Sequence, residues 1–313
     1  MRILSMSGFV PEHICDTVRF TQYTGDRNIS HYCGYASDFI SQVMMDDSID
    51  GAVYPKSCDS TRIITSYLGC SGKFLHQINV PAFGAAGAED FFASSIRQYK
   101  EALEENYKIS IHDVEKRSQL INTRNNSIRK TYENISELSY TNYLEHIHEM
   151  LKCPLVNQKW KGKIQTRIPT DKRVYIIGSF LSNTRIPLIM EEVGLTVVGD
   201  TLPESGRLVS MLPVESTGDI YKGVARSILS ARLSPTQNDF QNILKADLSE
   251  IKRKLVRGVV FIMQKYCEPY EYLYSTYKSE LDSLGIAALK LSLSDTEDHR
   301  KAAIALEAFA DTL

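Results

Sequence analysis

"GAVYPKSCDSTRIITSYLG", residues 51–69, sets a short apolar run, a proline, a cysteine and a helix-like segment in immediate succession. The run Gly51–Pro55 has the length and side chains of a buried strand. "STRIITSYLG" reads as the helix that follows it. Cys58 therefore stands just beyond the carboxyl end of a strand, where open α/β sheets keep their ligands.

The same alternation recurs on both sides. Upstream, "RILSM" reads as a strand, and "YASDFISQVMM" as a helix that follows Cys33; downstream, "KFLHQINVP" is a strand closed by Pro81. In the second half, "DKRVYIIGSF" carries a strong buried strand that turns through Gly178 and Ser179 into a helix over "RIPLIMEEVG". "LTVVGD" and "GVVFIMQKYC" are strands ending at Asp200 and Cys267, "EYLYSTYKSELDSLG" is an amphipathic helix stopped by Gly285, "IAALKLSL" is a strand, and "DHRKAAIALEAFADTL" is a closing helix. Strands alternating with helices imply parallel sheets. Between the halves, Phe92, Ile96, Tyr99 and Leu103 recur at helical spacing, and a more polar helix carries Leu120, Ile121, Ile128 and Ile135. The expected architecture is two doubly wound parallel-sheet domains, Rossmann or flavodoxin-like, over 1–87 and 171–313, with a helical segment over 88–170.

Composition sets outer bounds. With 313 residues, 43% hydrophobic and 24% charged, the chain is long enough for two cored domains. A net charge of -2 gives no electrostatic reason to expect nucleic acid or an anionic membrane as partner. No apolar run approaches the roughly 20 residues that cross a bilayer. The N-terminus reads as a first strand and its loop rather than a secretory signal, so a cytoplasmic setting is expected.

Six cysteines then need an account: Cys15, Cys33, Cys58, Cys70, Cys153 and Cys267. Reducing cytosol disfavours disulfides, and free cysteine is often simply buried. Cys58 and Cys267 share one placement, each past the end of an apolar strand and each followed by an acid, Asp59 and Glu268. Cys33 precedes a helix, whose unpaired N–H groups favour a thiolate. Three thiolates converging between two sheets can hold an iron–sulfur cluster with one iron left open. No CxxC occurs. His13 and Cys15, with His31 and Cys33, offer a zinc set that lacks the usual spacing. Nucleotide-binding glycine fingerprints are absent, and Gly178-Ser179 is a tight turn or a phosphate seat. Ser57, Asp59, Glu268, Glu271 and Tyr272 flank the proposed ligands; the acids are candidate proton donors or helix caps. Tyr32, Tyr35, Tyr54, Tyr266, Tyr270 and Tyr274 crowd the cysteine motifs as shielding or core.

"VYPKSCDSTR", "SHYCGYA" and "KYCEPYEYLYSTYKSELDSLGI" resemble the three cysteine motifs of the 2-hydroxyacyl-CoA dehydratase and benzoyl-CoA reductase family. "ASSIRQYKEALEENYKISI" and "IPLIMEEVGLTVVGD" fall in the right order between them. The resemblance implies that Cys33, Cys58 and Cys267 ligate one 4Fe–4S cluster between the domains. It implies a dimer with a second family subunit or a second copy, and an ATP-dependent iron–sulfur activator as electron donor. The implied activity is an oxygen-sensitive radical lyase (dehydratase) or low-potential reductase, in which a substrate thioester is reduced to a ketyl radical that expels its β-hydroxyl. Where the family carries Thr-Arg ahead of Glu-Ala-Phe, this chain has Ile304 and Ala305 ahead of Glu307, Ala308 and Phe309, which leaves an acyl-CoA substrate open. A six-cysteine branch binds a double-cubane 8Fe–9S cluster for a small non-CoA substrate, and Cys15 is the residue placed to join such a site. A third reading is a partner subunit that only relays electrons.

Overall fold

The computed structural model describes residues 1–6, 8–20, 32–82, 86–158, 163–181, 184–216, 218–237, 239–293 and 298–313. The N-terminal half runs β1 (Ile3–Ser5), β2 (Thr17–Arg19), α1 (Gly34–Met45), β3 (Gly51–Lys56), α2 (Asp59–Arg62), α3 (Ile64–Leu68) and β4 (Phe74–Asn79). Three helices follow: α4 (Ala88–Tyr107), α5 (Val114–Tyr132) and α6 (Tyr140–Lys152). The rest runs β5 (Arg173–Gly178), α7 (Arg185–Glu192), β6 (Thr196–Asp200), α8 (Gly206–Ser210), α9 (Ile220–Leu229), α10 (Phe240–Arg253), β7 (Gly258–Gln264), α11 (Glu268–Ser283), β8 (Ala287–Leu293) and α12 (Asp298–Asp311).

Every strand pair is parallel, and the two sheets have the same order, β2-β1-β3-β4 and β6-β5-β7-β8. This is the doubly wound architecture expected, built twice. Strand β2 carries no sequence signal of its own: three residues, Thr-Val-Arg, become a strand only because Ile3–Ser5 lies beside them. Alternation along each strand sends side chains to two helical layers. In the first sheet, Leu4, Ala52 and Tyr54 pack on α1 and α3, while Ile3, Val53 and Ile78 pack on the opposite layer. In the second sheet, Val174, Ile176, Val260 and Ile262 face α6, α7 and α12, and Tyr175, Val259, Phe261 and Met263 face α10 and α11.

The segment 88–170 is divided between the domains. Phe92, Ile96, Tyr99 and Leu103 of α4 are buried in the first domain's core, and Tyr143, Leu144 and Ile147 of α6 in the second's. The chain also crosses back: Val214 and then Val224, Ala225 and Ile228 of α9 enter the first domain's core against α4. Sequence boundaries assign 214–229 to the second domain, but its apolar face is buried in the first. Among the described residues no helix is long and apolar enough to cross a membrane.

Candidate functional site

In each sheet the order reverses between two neighbouring strands, β1 and β3 in one, β5 and β7 in the other. A crevice opens at the carboxyl ends of such a pair. The two crevices face each other across one cavity of about 120 Å³. Phe9 lines it from beyond β1, Ser57 and Cys58 from beyond β3, Ser179 and Phe180 from beyond β5, and Cys267 from beyond β7. Cys33 completes the set of cysteines on the same wall.

All three cysteines are N-cap residues: Cys33 of α1, Cys58 of the short α2 and Cys267 of α11. Local chemistry places each one. At Cys58 the Thr61 hydroxyl accepts the N–H groups of Ser57 and Cys58 at 3.2 and 3.1 Å, and donates to the Cys58 carbonyl at 2.9 Å. Before Cys267 the chain reverses through Tyr266, held in the left-handed region at φ 65°, and Pro269 then fixes the first turn of α11. The Cys33 carbonyl accepts the Ser37 N–H at 3.0 Å as α1 begins.

The three sulfurs sense one another. The Cys267 thiol donates to Cys33, and with the N–H groups of Ala36 and Tyr35 it holds the Cys33 thiol below its ordinary range despite burial. Cys267 is pushed well up for the reciprocal reason, first by that hydrogen bond and then by burial and the neighbouring sulfurs. Burial raises Cys58, against the N–H groups and hydroxyl of Thr61. Among the described residues no group of three His, Cys, Asp or Glu side chains closes on a point as for a single metal ion. Three sulfurs arranged around a void suit a polynuclear group bound at its corners, leaving other positions of that group free.

The other expected residues fall at graded distances from this centre. Ser57 lines the cavity itself. Asp59 and Glu268 are exposed along an adjoining groove of about 250 Å³ that shares Ser57 and Cys58 with the cavity; Asp59 also pairs with Arg62 at 3.2 Å. Tyr272 lines the same groove. Glu271 is ion-paired with Lys290 of β8 and lines neither space. Of the tyrosines, Tyr35 and Tyr270 line the cavity, whereas Tyr54 is core, Tyr274 packs on Phe261 and Tyr32 on Tyr67. Cys15 is buried 3.2 Å from the Tyr99 hydroxyl, its thiol pushed up to about 11 by burial. Cys70 and Cys153 are exposed, and none of these three lines the cavity. His31 lies outside the described residues.

Sequence reasoning passed over three contributors. Phe180 brings the second domain's ring onto Tyr35 at 4.1 Å, with Phe20 behind at 5.1 Å from Tyr35, so an aromatic wall joins the domains. Thr61 organises the Cys58 turn. Arg207 lines the cavity from α8 although only 4% exposed. Its position follows from Asp200: the buried carboxylate accepts the N–H groups of Leu202 and Gly206 at 2.9 and 2.7 Å and the Ser205 hydroxyl at 2.7 Å. A Cβ at Gly206 would lie 1.9 Å from the Asp200 carbonyl oxygen, so only glycine permits this approach. The one sequence clue was a strand ending at Asp200 with a glycine shortly after it.

The family model described as "2-hydroxyglutaryl-CoA dehydratase, D-component" matches residues 2–313. A curated relative, the (R)-phenyllactyl-CoA dehydratase beta subunit of Clostridium sporogenes, is 25% identical over 146 residues. That match spans 45% of this chain and 38% of the relative.

Proposed function

The chain belongs to the 2-hydroxyglutaryl-CoA dehydratase D-component family, and on that premise we propose that Cys33, Cys58 and Cys267 hold one 4Fe–4S cluster in the inter-domain cavity. The single observation that carries this reading is that three cysteines, far apart in sequence, become helix N-caps around one void. The chain is then the cluster-bearing subunit of an oxygen-sensitive dehydratase acting on a small molecule, an acyl-CoA thioester by family analogy. It pairs with a second family subunit or a second copy, takes electrons from an ATP-dependent activator, and works in a reducing cytoplasm.

When bound, the cluster would supply a low-potential electron and an open iron acting as Lewis acid. The chain's own residues do the rest. Oriented N–H groups, such as those of Tyr35 and Ala36 at Cys33, favour the thiolate forms that bind iron. Phe180, Tyr35 and Phe20 exclude water from that side, which strengthens electrostatic interactions within. Ser57 presents a hydroxyl inside the cavity, and Asp59 and Glu268 stand at the groove as proton donors toward it. Glu271, paired with Lys290, is proposed only to hold α11 against β8.

Cys15 is committed to the first domain's core with Tyr99, which supports one cubane over a double cubane. A second functional reading has its own support: the curated relative is named a beta subunit. In that reading this chain relays electrons to a partner that binds substrate.

Iron and acid-labile sulfide on anaerobically purified protein test the proposal. We expect about four irons per chain, lost in air and absent from Cys58→Ser; about eight would mean the double cubane, and none after reconstitution would sink both. Turnover by this chain with the activator alone, against turnover only when a second family subunit is added, separates the catalytic from the relay reading.

A further inference from the structure

Of the described residues that line the cysteine cavity, Arg207 is the one that carries a formal charge; the others are the three cysteines and small, hydroxyl, apolar or aromatic residues. Its guanidinium is buried and weakly tied. Among the described residues Nε has no hydrogen-bond partner, and Nη2 donates to Gln237 Oε1 at 3.4 Å. That oxygen already accepts the Ser234 N–H at 2.9 Å. The guanidinium carbon lies 4.4 Å from the centroid of the Phe9 ring, so an aromatic face seats the group. Buried arginines elsewhere meet carboxylates: Arg19 and Arg124 meet Glu12, and Arg117 meets Asp16 at 2.8 Å. No carboxylate of the described residues pairs with Arg207.

A buried cation without a counter-charge is costly, and a guanidinium stays ionised in proteins. The same walls supply the missing negative charge. Cys33, Cys58 and Cys267 bring three sulfurs to this space, and a cysteine that ligates iron does so as the thiolate. We propose, resting on the reading that these cysteines hold a cluster, that Arg207 is the built-in counter-cation of that centre and raises its reduction potential. Uptake of one electron from the low-potential donor adds one negative charge to the centre and breaks no bond. A fixed positive charge beside it favours the reduced form over the oxidised one, and burial keeps that field strong. The ions of the adjoining groove, Lys56, Arg62, Asp59 and Glu268, are exposed and screened by water and salt, so they cannot substitute for it.

The test is an anaerobic redox titration of the reconstituted full chain, followed by electron paramagnetic resonance, with iron counted on every sample. Removing the positive charge disfavours reduction, so Arg207→Gln should shift the reduction equilibrium about tenfold toward the oxidised form. That is a potential about 59 mV more negative for one electron. Arg207→Lys keeps the charge and should recover most of the shift. An unchanged potential in Arg207→Gln at full iron content would overturn the proposal. So would an equal fall in Arg207→Lys, because the fork of donors rather than the charge would then be responsible. Iron lost from Arg207→Gln but kept in Arg207→Lys would support a counter-cation needed already for assembly, and iron lost from both would overturn it. Should Arg207→Gln lose its near-ultraviolet circular dichroism, Arg207→Met, close in length and without polar atoms that need partners, carries the same expectation. Wild type without iron after reconstitution would remove the cluster and this inference together, whereas wild type with iron and an indifferent Arg207→Gln would remove the inference alone.

Discussion

His13 contributes to the acid response of the fold. It is 5% exposed, and among the described residues neither ring nitrogen has a hydrogen-bond partner. Burial, and then the charges of Arg124 and Arg117, lower its pKa from 6.5 to about 3. Those arginines also make a poor setting for a dication, which weighs against the zinc set of His13 and Cys15. The unfolded chain takes a proton on this ring where the folded chain refuses one. Stability is accordingly full above about pH 6.5 and falls as pH drops toward about 3, by about 1.4 kcal/mol per unit. Urea denaturation at pH 7.5 and 5.0 checks the sign: wild type should lose about 2 kcal/mol more than His13→Gln over that interval. Residues of this kind were opaque in the sequence, because "EHIC" reads as a ligand pair until the arginines of α5, about a hundred positions away, are seen beside it.

At the scale of elements, every strand but β2 and the helices that follow the cysteines were legible, and the connection that aims Arg207 was not. Strands β3, β5, β6 and β7 are buried, largely apolar runs, and such runs announce themselves. Helix α8 has five residues and no periodicity to read; it exists because Asp200 gathers the N–H groups of Leu202 and Gly206 at the end of β6. Gly206→Ala drives a methyl into the Asp200 carbonyl, and overpacking of this kind costs about 1–3 kcal/mol or more. We expect that loss in urea midpoints. Unchanged stability in Gly206→Ala would mean that the β6–α8 turn has room the structure denies it.

At the scale of the molecule, α9 joins the two halves. It lies along α4, with Arg226 paired to Glu89 at 2.9 Å and Arg97 to Asp219, and buries Ile228 in the first domain's core. Ile228→Ala should cost about 2–5 kcal/mol and should loosen α4 as well as α9 in hydrogen exchange, because both lose the same contact. Protection lost in α9 alone would show the halves to be energetically separate. The paired sheets themselves, and Cys58 and Cys267 at strand ends, could be read from the chain directly, since periodicity and strand termini are local properties of a sequence. That three N-caps surround one void, that α9 returns to the first domain, and that Arg207 stands buried at the cavity depend on contacts between distant segments. Those contacts are settled by how two sheets bury their faces against shared helices, and local pattern carries no record of them.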